Sequence, residues 1–138
     1  FVASFIGSPA MNFVPCQLEE TDGKLAVRLT GDLALPVPES RRERYRSLKS
    51  NGRLLLGLRP EHITEARPHI EPDVVPFEAQ IEVTEPMGME TFVYFSINGT
   101  QVCGRVNPNA GAREGAPMRL AADLGNMHLI DDETGRVV

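Results

Sequence analysis

Two alternating runs, residues 91–97 and 100–106, meet at Asn98-Gly99. Asn-Gly tolerates positive φ at both turn positions, as a two-residue hairpin requires, so this stretch commits the chain to antiparallel β structure. Residues 77–84 carry the same period: Phe77, Ala79, Ile81 and Val83 alternate with Glu78, Gln80, Glu82 and Thr84. A period of two puts every second side chain on one face, so a half-buried strand is expected there, with Val83 on the buried side. Residues 24–30 alternate likewise, and further strands are expected at 11–19, 53–59, 118–123 and 127–130. The last should pair with 136–138 across the turn Asp131-Asp132-Glu133-Thr134-Gly135. Leu54, Leu55 and Leu56 are consecutive, which predicts a strand covered on both faces.

Twelve glycines and eleven prolines punctuate these runs at short intervals. Helix is scarce. Ser40-Arg41-Arg42-Glu43 has the spacing of a capping box, with Gly52 as the stop and only Tyr45 and Leu48 as a contact stripe. A second short helix is expected at 2–6. Many short strands with one or two short helices predict an all-β barrel or sandwich. The three-proline stretch 66–76 is the candidate linker between two β lobes, 1–65 and 77–138. The chain opens on Phe1 and its first methionine is Met11, so it is expected to be an excised domain of a longer protein.

Function classes fall away quickly. Fourteen basic against nineteen acidic residues give a net charge of -5, the wrong sign for a general nucleic-acid binder. Six phenylalanines, two tyrosines and no tryptophan leave little for base stacking. No run of eighteen apolar residues occurs. Cys16 and Cys103 lie far apart without a CxxC, which predicts two buried thiols in a reducing compartment rather than a disulfide. There is no phosphate-binding loop, nucleophile elbow or H-E-x-x-H, and His62, His69 and His128 are isolated from one another. Neither catalytic, cofactor nor metal residues are assigned.

Three patches carry residue types that plain strands do not need. In the first, Gly7-Ser8-Pro9 signals a chain reversal leading to Met11 and Asn12, whose amide is suited to bonding the backbone around that corner. In the second, Pro60 ends a strand, and Arg59, Glu61 and His62 gather a guanidinium, a carboxylate and an imidazole. An Arg59–Glu61 pair fixing the loop is the favoured reading, and a partner contact the sharper one. The third, Glu85-Pro86-Met87-Gly88-Met89-Glu90-Thr91, is a turn with two exposed-looking methionines, suited to an adaptable contact.

Together, FVASFIGSPAMNF, LGLRPEH, TEPMGMET and the ending MRLAADLGNMHLIDDETG resemble one family across essentially the whole chain. It is the C-terminal regulatory domain of the ATP-binding subunit of carbohydrate ABC importers, of the maltose and glycerol-3-phosphate type. Met87 stands where that family usually has Leu, and Ile130 where Phe is common. The resemblance implies an OB-like (TOBE) β fold that is not itself an enzyme. ATP and Mg would belong to a preceding ATP-binding domain in an ABC-type transport ATPase. It further implies a homodimer through this domain, contact with its own ATP-binding domain and, through the whole protein, with transporter membrane subunits. A regulatory protein is a further implied partner, and no nucleic acid is. The place would be cytoplasmic, peripheral at the inner face of the cell membrane. Gly7, Ser8, Pro9, Met11, Asn12, Arg59, Pro60, Glu61, His62, Glu85, Gly88, Glu90 and Thr91 are the motif or interface candidates. The alternative is a small-molecule or oxyanion-binding TOBE module.

Overall fold

The computed structural model describes residues 11–46, 53–68 and 71–138. In chain order the elements are β1 (Asn12–Thr21), β2 (Lys24–Arg28), β3 (Ala34–Pro36), α1 (Glu39–Arg46), β4 (Leu54–Leu58), β5 (Ile63–Glu65), β6 (Val74–Gln80), β7 (Val83–Met87), β8 (Glu90–Ile97), β9 (Thr100–Val106), β10 (Pro117–Asp123) and β11 (His128–Asp131). Short 3-10 turns occupy Pro60–His62, Pro108–Ala110 and Leu124–Asn126. The all-β expectation holds, with α1 as the α-helix among the described residues.

Three sheets form, ordered β11-β4-β1-β2-β3, β5-β10-β6 and β7-β8-β9, all antiparallel. The Asn98-Gly99 hairpin is as expected: Ile97 pairs with Thr100, and the turn residues sit at φ 51° and 81°. The C-terminal pairing also forms, as a bridge between Ile130 and Val137. The sheets interlock across the sequence. From the second lobe β11 joins β4 of the first, and β5 of the first joins β10 of the second. The stretch 66–76 therefore does not separate the sheets, and Val74 to Pro76 are already strand β6.

Three expectations need correction. Residues 77–84 are not one strand: the chain leaves β6 after Gln80 and enters β7, in another sheet, at Val83. The cause is Ile81, which is fully buried where the sheets meet, with its N–H on Ala116 O at 2.9 Å and its carbonyl accepting from Gly115 N at 2.7 Å. Past that anchor the alternation no longer tracks burial, and Val83 is 44% exposed. Leu54 and Leu56 are buried but Leu55 is half-buried, so β4 is covered fully on one face only. The helix begins at Glu39, which leaves Ser40 inside it rather than at its cap. Pro38 starts the first turn, its carbonyl accepting from Arg41 N at 3.0 Å, because the fixed φ of proline suits a helix start. Tyr45, half of the expected contact stripe, is the buried residue of this helix, as expected. Leu48, Gly52, His69 and the stretch 2–6 lie outside the described residues.

The core is continuous through all three sheets. Val27, Leu56 and Leu129 of the five-stranded sheet, Leu120 of β10, and Val93 and Phe95 of β8 belong to one buried cluster. The Phe77 and Phe95 rings join the β5-β10-β6 and β7-β8-β9 sheets, their centroids 5.8 Å apart and tilted by 50°.

Candidate functional site

Two of the three sequence patches meet at Cys103-Gly104 of β9, which sequence reasoning passed over as ordinary strand, and the third shares the sheet of β9. From the first patch, Asn12 is 7% exposed and aims its amide at the main chain of Cys103. Its Nδ2 donates to Cys103 O and its Oδ1 accepts from Cys103 N, both at 2.8 Å. Expected to bond locally, this amide instead satisfies the outer edge of a strand 91 positions away. Met11 is half-buried, its sulfur over Gly57, 2.9 Å from where a Cβ would stand. Gly7, Ser8 and Pro9 lie outside the described residues.

From the second patch, Pro60 is buried and opens a 3-10 turn closed by His62 N donating to Arg59 O at 2.9 Å. This turn delivers Ile63 against Gly104, so tightly that a Cβ at Gly104 would lie 2.9 Å from Ile63 Cγ2 and 3.0 Å from Ile63 O. No ion pair joins Arg59 to Glu61: both are exposed, and the backbone turn fixes the loop by itself. Glu61 and half-buried His62 border a cleft of about 500 Å³ with Thr64, Arg67, Arg119 and Asp123.

From the third patch, Glu85 shares the outer face of the β7-β8-β9 sheet with Tyr94 and Cys103. Glu90 holds Arg105, with Nε 3.0 Å from Oε2, and that guanidinium sits 5.9 Å above the Phe92 ring. Thr91 is half-buried and paired with Val106, while Gly88 takes φ 73° at the hairpin tip. Met87 and Met89, 49% and 95% exposed, project from that tip as expected. Strand β7 lies at its sheet's edge, but the edge is blunted. Thr84 N is taken by Glu114 Oε2 at 3.0 Å, and Pro86, on the same side, has no N–H. Contacts here must run through side chains rather than added strands.

Burial governs the ionisable groups at the seam. It pushes the Cys103 thiol up to about 11, the nearby Glu85 charge adding to the rise while Tyr94 and Arg105 oppose it. The Cys16 thiol, away from the seam, rises from burial to about 12, and burial likewise raises the Tyr94 phenol to about 12. His128 goes the other way: burial first, then Arg41, Arg44, Arg59 and His62, disfavour its charged form. Both thiols stay neutral in the fold at pH 8, so neither should react with a disulfide reagent until the chain unfolds. For these groups the folded pKa exceeds the unfolded one. Above pH 9 the unfolded state therefore binds fewer protons, and stability falls as pH rises from about 9 toward 12. Thiol titration with and without urea, and urea midpoints across pH 8–11, check this; a native thiol that reacts promptly at pH 8 contradicts it.

Among the described residues no group of three or more His, Cys, Asp or Glu side chains is arranged to hold a metal ion, and no helix is long and apolar enough to cross a membrane. The arrangement is a structural seam, flanked by a polar cleft and an apolar hairpin tip.

Residues 7–63 match the family described as the MalK OB fold domain, and residues 56–130 match the TOBE domain family. The chain is 37% identical over 139 residues to the sn-glycerol-3-phosphate import ATP-binding protein UgpC of Cereibacter sphaeroides, covering 99% of this chain and 34% of that protein. It is 34% identical to the oligosaccharides import ATP-binding protein MsmX of Bacillus subtilis, covering 97% of this chain and 36% of that protein. The chain thus spans about a third of the length of these relatives. Among solved structures, the cytoplasmic molybdate-binding protein ModG superimposes with a TM-score of 0.57 at 14% identity, over 90% of this chain and 96% of that one, which establishes a shared fold. With more than half its length matched by one family and the remainder of its N-terminal sheet by a companion OB fold, this chain belongs to the TOBE domain family, in the form found in carbohydrate and glycerol-3-phosphate ABC importer ATP-binding proteins.

Proposed function

We propose that this chain is the non-catalytic regulatory and dimerisation domain of an ABC importer's ATP-binding subunit. The observation that carries the reading is the tiling of residues 7–130 by the two family matches, both of which occur in import ATP-binding proteins similar to this chain. ATP and Mg would bind elsewhere in the longer protein. That protein would act in the cytoplasm, peripheral at the inner face of the membrane, held there by the transporter's membrane subunits. A signalling protein would act by its differential affinity for the open and closed pairings, and by no more than that difference.

Pairing has local support in the β7–β8 hairpin. Val83, Met87 and Met89 are three of the four exposed large apolar side chains among the described residues, and all three lie on this one element. The blunted edge excludes sheet extension, so a two-fold contact would pack thioethers, which adapt well to an imperfect surface. Light scattering across micromolar to millimolar chain should give a monomer–dimer equilibrium, which Met87→Asp with Met89→Asp shifts to monomer. A wild-type chain that stays monomeric throughout sinks the pairing. The oxyanion-binding alternative has the fold shared with ModG in its favour. Calorimetry with molybdate and sulfate separates the two readings: micromolar binding would favour the alternative.

A further inference from the structure

The cleft beside Glu61 and His62 lies on the outer face of the β5-β10-β6 sheet. Its floor is built of small groups: Ala121 of β10 is flanked across the ladders by Thr64 of β5 and Pro76 of β6. Strand alternation puts Arg119 and Asp123 on the same face as Ala121, one at each end of that floor. Four residues of extended chain place them roughly 13 Å apart.

Both guanidiniums of the cleft stand at one end, with Glu65 beside them, and the other end carries carboxylates only. Ala66 N donates to Arg119 O at 3.1 Å, which brings Arg67 to the Arg119 end. At the other end Asp123 pairs with Val74, whose N–H reaches Glu71 O at 3.3 Å, and Glu61 stands on the neighbouring wall. Some of these charges are already engaged. Asp123 accepts from Gly125 N and Asn126 Nδ2, and Glu65 accepts from Asn107 N and lies 3.6 Å from Arg67. Others are not. Arg119, Glu61 and Glu71 make no ion pair among the described residues, although Glu78 is the cross-strand neighbour of Arg119. His62 Nδ1 is buried in the wall without a hydrogen-bond partner among the described residues, an unmet bond that native interiors rarely leave.

We infer that this cleft docks an extended segment of a partner protein carrying an acidic side chain and, four residues along, a lysine or arginine, with small side chains between. The spacing selects the class. A strand laid along β10 advances by the same rise and so presents its charges at the separation of the two ends, whereas the charges of a small zwitterion lie only a few ångströms apart. The shallow floor of Thr64, Ala121 and Pro76 leaves room for a main chain with small residues at its centre. Four carboxylates against two guanidiniums along the cleft make the basic side chain the stronger anchor, so association should weaken with salt. None of this depends on the chain pairing with itself or on its place in an importer.

The test is an NMR titration of the ¹⁵N-labelled chain with the capped heptapeptide Thr-Glu-Ala-Ser-Ala-Arg-Thr. Saturable shifts are expected at Thr64, Glu65 and Arg119 to Asp123. Binding should weaken about tenfold or more when the peptide's Glu and Arg become Gln, or in the chain variants Arg119→Gln and Glu71→Gln. Both side chains are exposed, so spectra away from the cleft should be unchanged in the variants. The inference is overturned if millimolar peptide leaves the cleft unshifted, or if the Gln peptide binds equally well. It also falls if free arginine or inorganic phosphate gives the same shifts at the same affinity. Cleft shifts that grow with protein concentration alone would make a second copy of this chain the occupant, and overturn it too.

Discussion

Replacing Asn12 by alanine is expected to cost about 2–6 kcal/mol of stability, a large share of the 5–15 kcal/mol that holds a typical domain together. The side chain supplies a donor and an acceptor to one peptide group, Cys103 O and Cys103 N, both at 2.8 Å and both buried. Truncation leaves two buried main-chain groups unsatisfied, each costing about 1–3 kcal/mol, in a site too apolar for water to replace the amide cheaply. Asn12→Asp should fare little better, because a carboxylate still accepts from Cys103 N but faces Cys103 O without a proton to offer. Urea unfolding is the measurement, the midpoint falling with little change in slope. A loss below about 0.5 kcal/mol would mean that the amide bonds are not what joins β1 to β9.

Asn12 also marks where sequence reading stops. The hairpins were legible because their determinants are local: Asn98-Gly99 needs no partner beyond its own strands to demand positive φ. The residues at 11–12, 59–62 and 85–91 were legible as unusual, but their purpose was not. Asn12 beside a Gly-Ser-Pro corner suggested local bonding, and nothing along the chain points to a peptide group 91 residues away. Arg59 and Glu61 suggested a salt bridge, yet a 3-10 turn with Pro60 at its first position fixes the loop through its main chain alone. The same limit explains residues 77–84, where an unbroken period hid a change of sheet at buried Ile81. Of the cleft, only Glu61 and His62 stood out. Its charged ends come from Arg67, Glu71, Arg119 and Asp123, which topology alone assembles.

Gly104 and Gly57 offer the sharpest contrast in the molecule, and alanine at each should separate them by the nature of the neighbour. Neither glycine has positive φ, so space is the issue at both. At Gly104 an added Cβ would meet Ile63 Cγ2 at 2.9 Å and the Ile63 carbonyl oxygen at 3.0 Å. That oxygen belongs to β5, which is held in register by Ile63 opposite Ala122 of β10, so relief requires moving backbone. Gly104→Ala is therefore expected to cost about 2–3 kcal/mol, at the upper end for overpacking a close-packed interior. At Gly57 the nearest atom is Met11 Sδ, also at 2.9 Å, but it sits far out on a flexible thioether that can swing aside, and the next contact, Ile130 Cδ1, is an ordinary 3.4 Å away. Gly57→Ala should cost less than about 1 kcal/mol, and a Met11→Ala background should remove most of that cost. Chemical denaturation of the two alanine variants and the Met11 double mutant measures all three. Equal costs at the two glycines, or a larger one at Gly57, would mean that β5 and β9 are not locked where the second patch meets the seam.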